Sequence, residues 1–164
     1  MNKNIHRRFI VPALIIVFFF ITGYKLPLPV NTSIAVIISI DNPIAFKDNP
    51  SLSANQVKSY FLRKIKKRWP ETNKNILPVD RKKACPEQEL FYSGILNMNA
   101  SEVETYFIEK QYQTGEEPPN KFSTDKEIID FVGDEIGAIG YINTNSLSTE
   151  AKTKVKVVLI ISNW

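Results

Sequence analysis

The sequence is poor in the residues that most often carry chemistry. Its 164 residues include one histidine and one cysteine. His6 lies ahead of a long apolar run, so the remainder of the chain holds no Ser–His or Cys–His pair and no histidine metal cluster. Cys85 alone cannot form an intramolecular disulfide, and a single thiol is most simply a tolerated, buried side chain. With six glycines there is no Gly-rich nucleotide loop, and Gly137 and Gly140 read as easing a tight turn into a strand. Adjacent carboxylates such as Asp134 and Glu135 define no acid–base geometry. These absences argue against an enzyme and imply no cofactor and no metal.

Strong charge is missing as well. Lys3, Arg7 and Arg8 supply three of the net four positive charges, and no acid precedes Asp41, so the chain from residue 9 onward is almost neutral. Such a body gives no electrostatic reason to expect nucleic acid.

What is present begins with a basic stretch and a run at residues 9–24 broken only by Pro12, Thr22 and Gly23. Those sixteen residues would span about 24 Å as a helix, short of the roughly 30 Å hydrocarbon core. Residues 1–24 therefore read as a signal peptide or an N-terminal membrane anchor, with the rest of the chain exported to the periplasm. Ile21-Thr22-Gly23 has the small-residue character that precedes a lipid-bearing cysteine, but Tyr24 stands there and offers no thiol. Residues 25–33 carry Pro27 and Pro29 and read as an extended linker.

The body, residues 34–163, alternates strand-like and helix-like segments. Residues 34–40 and 155–161 are nearly all apolar, as strands buried on both faces would be. Shorter strands are predicted at 76–79 and 138–142. Ser53 with Gln56, Asn99 with Glu102 and Thr124 with Glu127 have the spacing of helix-opening capping boxes. Pro86 suits the first residue of a further helix. Val57, Tyr60, Phe61 and Ile65 make one apolar stripe, Leu90, Phe91 and Ile95 a second, and Val103, Tyr106 and Phe107 a third. The last predicted helix buries Ile128, Phe131 and Val132. Pro118-Pro119 makes the segment before it extended. The implied class is α/β, a mixed sheet flanked by helices.

A family resemblance runs through these elements. Its pieces are Asn42-Pro43, Leu52-Ser53 leading to Tyr60-Phe61-Leu62, Trp69-Pro70, Leu77-Pro78-Val79-Asp80, residues 91–98, Tyr106-Phe107, Thr114-Gly115, Pro118-Pro119 and Gly137-Ala138-Ile139-Gly140-Tyr141-Ile142. In order and spacing the chain resembles small stand-alone phosphate ABC transporter substrate-binding proteins. The resemblance implies a single lobe of a type 2 periplasmic-binding-protein-like fold, with too little chain left for a second lobe.

The family's anion site implies candidates here. Its Arg falls on Arg81, its Asp on Lys83, and its Ser-Gly-Thr on Cys85, Pro86 and Glu87; only Arg81 matches. Lys82 and Lys83 add positive charge to the loop, so Arg81, Lys82, Lys83 and Cys85 are the candidate ligand-binding residues. Two departures oppose an anion. Pro86 has no N–H to donate, and Glu87 brings a like charge whose repulsion is about 4 kcal/mol at about 4 Å. A solvated loop before an ordinary helix start is the rival reading. A second basic run at residues 63–68 reads as a solvated helix end or as a contact for anionic lipid.

Two functions follow. One is an exported solute-binding-like module that takes phosphate or another small anion in connection with phosphate ABC transport or sensing. The other is a non-catalytic periplasmic interaction or adaptor module that keeps the fold without the ligand. Expected partners are a small anion, a membrane protein, and the inner membrane itself if residues 9–24 are retained.

Overall fold

β1 (Ser33–Ser39) runs inside the sheet, with a strand on either side, and both of its faces are apolar. Ile34, Val36 and Ile38 pack into one hydrophobic layer and Ala35 and Ile37 into the other, as the two-residue period of a strand requires. The computed structural model describes residues 31–47, 50–64, 68–70 and 72–163. The expected signal or anchor, most of the expected linker, and Ile65, Lys66 and Lys67 lie outside the described residues. The strand takes up Ser33, the last expected linker position. Residues Asn31–Trp164 form one compact unit that contains both hydrophobic layers.

The helix starts follow their capping chemistry. At α1 (Ala54–Phe61), Ser53 accepts the Gln56 N–H, and the Gln56 side chain accepts the Ser53 N–H at 2.9 Å. β2 (Leu77–Arg81) leads into α2 (Pro86–Phe91), whose first residue is the expected proline. α2 continues without a break into a π-helical turn, Tyr92–Leu96, which stops at Asn97 in the left-handed conformation. Asn99 and Glu102 cap α3 (Ala100–Thr114), which ends at Gly115 with φ +69°, a value glycine adopts without strain.

After the two prolines comes β3 (Asn120–Phe122), and then α4 (Asp125–Asp134), opened by the Thr124–Glu127 box. β4 (Ala138–Asn143) passes through a 3-10 turn, Thr144–Ser146, to α5 (Thr149–Lys154) and β5 (Val155–Ser162). Three of these features depart from expectation. β3 is only three residues long, and Asn120 and Lys121 are exposed, so no apolar pattern marks it. α5 is polar and buries only Ala151, so it carries no stripe. β5 is an edge strand rather than a doubly buried one, and Ile160 on it is 59% exposed.

The sheet order is β3-β2-β4-β1-β5. β2 is parallel to both β3 and β4, while β1 is antiparallel to β4 and β5. Residues of α1, α2 and α3 join the layer on one face, and those of α4 and α5 join the layer on the other. Trp69 lies in the first layer, 1% exposed, with its indole N–H donating to the Gly137 carbonyl at 2.9 Å. The chain therefore leaves β2 for β3 on one side and returns past it to β4 on the other. The C-terminal end of β2 is thus a topological switch point, where open α/β sheets present a crevice.

Candidate functional site at the end of strand β2

Three segments meet at that end: Arg81 closes β2, Asp125 opens α4, and Asn143 closes β4. Asp125 accepts from the Arg81 guanidinium through one carboxylate oxygen and from the Ser146 hydroxyl through the other. The backbone N–H of Asn143 also donates to that second oxygen, at 3.2 Å. The Arg81 and Asp125 side chains are 7% and 18% exposed, so the pair is largely withdrawn from water. Its position at the first residue of α4 further favours the Asp125 charge. The guanidinium also stands 5.7 Å from the centre of the Tyr141 ring.

A second carboxylate sits beside the first. Glu87 accepts from the Asn143 side-chain amide at 2.8 Å. Burial works to raise its pKa. Hydrogen bonds from Asn143, from its own backbone N–H and from Cys85, together with the Arg81 charge, outweigh that and hold it below the usual carboxylate value. The Cys85 thiol is pushed up, by burial first and by the neighbouring Glu87. A raised thiol pKa does not favour the reactive thiolate.

Beneath Arg81 lies a buried polar network. Asp80 is 1% exposed, and Tyr141 and Tyr92 donate their hydroxyls to it at 2.5 and 2.6 Å. The Arg81 N–H adds a bond of 2.7 Å, and the Gln88 amide donates at 3.3 Å. A buried carboxylate is tolerable only when its oxygens are satisfied in this way. Burial first, and then the Asp80 charge, push both tyrosine hydroxyls well above the ordinary phenol value.

Of the residues singled out from the sequence, Arg81 and Cys85 are brought to this cluster, linked through Glu87. Lys82 and Lys83 are exposed on the loop that follows β2. Sequence reasoning gave no role to Asp125, Asn143 or Ser146. The Thr124–Glu127 capping box did mark Asp125 as the first residue of a helix, which was the available signal. Among the described residues, no group of histidine, cysteine, aspartate and glutamate side chains is arranged to hold a metal ion.

No family model matches the chain, and no curated protein matches it in sequence. Solved structures do. A candidate phosphate ABC transporter substrate-binding protein from Clostridium perfringens, with phosphate bound, superposes with a TM-score of 0.54 at 22% identity. The chain shares the fold of part of such a substrate-binding protein. An ABC-type phosphate transport receptor from Vibrio cholerae gives a TM-score of 0.57 at 16% identity. A candidate phosphate-binding protein from Planctomyces limnophilus gives 0.55 at 16%. Each match covers 78% of this chain but only 44%, 46% and 41% of the respective structures, so the chain spans less than half the length of these substrate-binding proteins.

Proposed function

We propose that this chain is a non-catalytic interaction module built on one lobe of the solute-binding-protein fold, with its anion-binding position satisfied from within. The observation that carries this reading is the Arg81–Asp125 pair. Arg81 is the one residue that matches the family's anion-binding pattern, and its guanidinium is held by a carboxylate that Ser146 and Asn143 hold in turn. Glu87 places a second negative charge next to it. An incoming oxyanion would have to displace one carboxylate and bear the repulsion of the other. Export by residues 1–24 and docking onto a membrane protein belong to the same proposal.

Binding of phosphate or a similar anion by Arg81, Lys82, Lys83 and Cys85 is the second reading. The likeness of fold to phosphate-binding proteins and the two exposed lysines beside Arg81 favour it. Calorimetric titration of residues 31–164 with phosphate, with sulfate alongside, separates the two. The interaction-module reading expects no saturable heat at millimolar phosphate from folded protein. Saturable binding that weakens in Arg81→Ala would overturn it in favour of the second.

A further inference from the structure

A cavity of about 330 Å³ opens between α3 and the β2–β3 side of the sheet, and shares Asp80, Arg81, Gln88 and Tyr92 with the cluster at the end of β2. Its volume is at the lower end of the range for small-ligand sites, roughly 300–1,000 Å³. α3 contributes Val103, Phe107 and Ile108 at helical spacing, and Pro118 and Pro119 stand opposite as the chain enters β3. Of the three α3 residues Ile108 is exposed, at 60%, while Val103 and Phe107 are buried in the first hydrophobic layer.

The polar groups of the cavity divide into spent and unspent. Asp80 lines it, but its carboxylate is taken up by Tyr92, Tyr141, the Arg81 N–H and Gln88. Lys82 and Lys121 also line it, are exposed, and have no ion-pair partner among the described residues. Lys121 pairs with Asp80 across β2 and β3, two positions before Lys82, which follows the end of β2. The one acid without a bond at this cavity is Glu104 on α3, one helical turn before Ile108.

We propose that this cavity binds a small carboxylate with an apolar body, its acid group between Lys82 and Lys121 and its hydrocarbon part against Val103, Phe107 and Ile108. Carboxylates suit this place better than neutral or cationic amphiphiles, because the charges not already taken up by the Asp80 network or the Arg81–Asp125 pair are two ammonium groups and the single carboxylate of Glu104. Glu104 works against the ligand. Arg81 lines this cavity too, but its guanidinium is held by Asp125, and the proposal places the acid group on the two lysines instead.

The test is an amide-detected NMR titration of residues 31–164 with octanoate, octanol and octylamine, each below its aggregation limit. Octanoate is expected to give saturable shifts at Val103, Phe107, Ile108 and Lys121, with octanol weaker and octylamine weakest. Replacing both lysines, Lys82→Ala with Lys121→Ala, is expected to weaken octanoate by about tenfold, the equivalent of one charge-assisted contact. Glu104→Gln is expected to strengthen it. The variants alter exposed side chains, and their amide spectra report directly whether the fold is kept. Equal binding of all three probes, insensitivity to the lysines, or no shifts from folded protein would each overturn the proposal.

Discussion

Arg81 and Asp125 join the C-terminal end of β2 to the first residue of α4. Because both side chains are largely buried, removing one partner strands the other. Asp125→Ala is expected to cost about 3 kcal/mol, whereas the double replacement Arg81→Met with Asp125→Leu costs much less. Urea unfolding of the three proteins checks this. A single variant no less stable than the double one would mean that the pair does not hold α4 in place.

The Asp80 network predicts an alkaline limit. Tyr92 and Tyr141 have folded-state pKa values above the ordinary 10.0, because burial and the Asp80 charge disfavour their phenolates. The contribution of such groups is fully present below pH 10 and is lost as pH rises further. Stability is therefore expected to hold up to about pH 10 and then fall, with a shallower fall in Tyr92→Phe. Ultraviolet titration followed beside circular dichroism tests it. Ionisation of both tyrosines well before unfolding would show that the network is not buried as described.

Much of the architecture was legible because it rests on local chemistry. The three capping boxes place α1, α3 and α4, and the apolar run around Ile34–Ile38 places the interior strand β1. β3 and α5 were not legible. Asn120, Lys121 and the Thr149–Lys154 segment have no periodic apolar signal, and both elements are held by what they pack against. The exposure of β5 was hidden for a related reason, since an edge strand and a doubly buried one can share the same apolar composition. At the site, Arg81 could be found from its loop, but Asp125 lies 44 residues further on, and only the crossover through β3 brings the two together.

Gly137 offers a sharper structural test. A Cβ there would lie 2.2 Å from the Asn75 carbonyl oxygen, a backbone atom that cannot simply swing aside. The same residue accepts the Trp69 indole N–H. Gly137→Ala is expected to destabilise by about 2 kcal/mol or more through overpacking. Trp69→Phe removes a buried hydrogen bond and opens space, although the Leu77 N–H still donates to that carbonyl, and is expected to cost a similar amount. Thermal unfolding of each variant measures it, and a neutral Gly137→Ala would contradict the close approach.

Asp130 carries an acid-side prediction. Hydrogen bonds from Lys126 and Lys154 lower its carboxyl pKa from 3.8 to about 2. A depressed pKa gives stabilisation that is present above pH 3.8 and lost as pH falls toward about 2. The group is exposed, so Asp130→Asn is expected to change stability little at neutral pH. The carboxyl carbon shift of Asp130 followed by NMR should titrate near 2; a midpoint at 3.8 would mean that the two lysines are not held against it.

The central claim is that the chain's own carboxylates occupy the anion position at the end of β2. The most direct measurement is the amide spectrum of residues 31–164 as phosphate is raised into the millimolar range at constant ionic strength. The account predicts that the Arg81, Asn143 and Ser146 amides stay where they are, apart from the small uniform drift that sulfate also produces. Saturable, phosphate-specific shifts of those three amides, abolished in Arg81→Ala, would contradict it and make this lobe a phosphate binder.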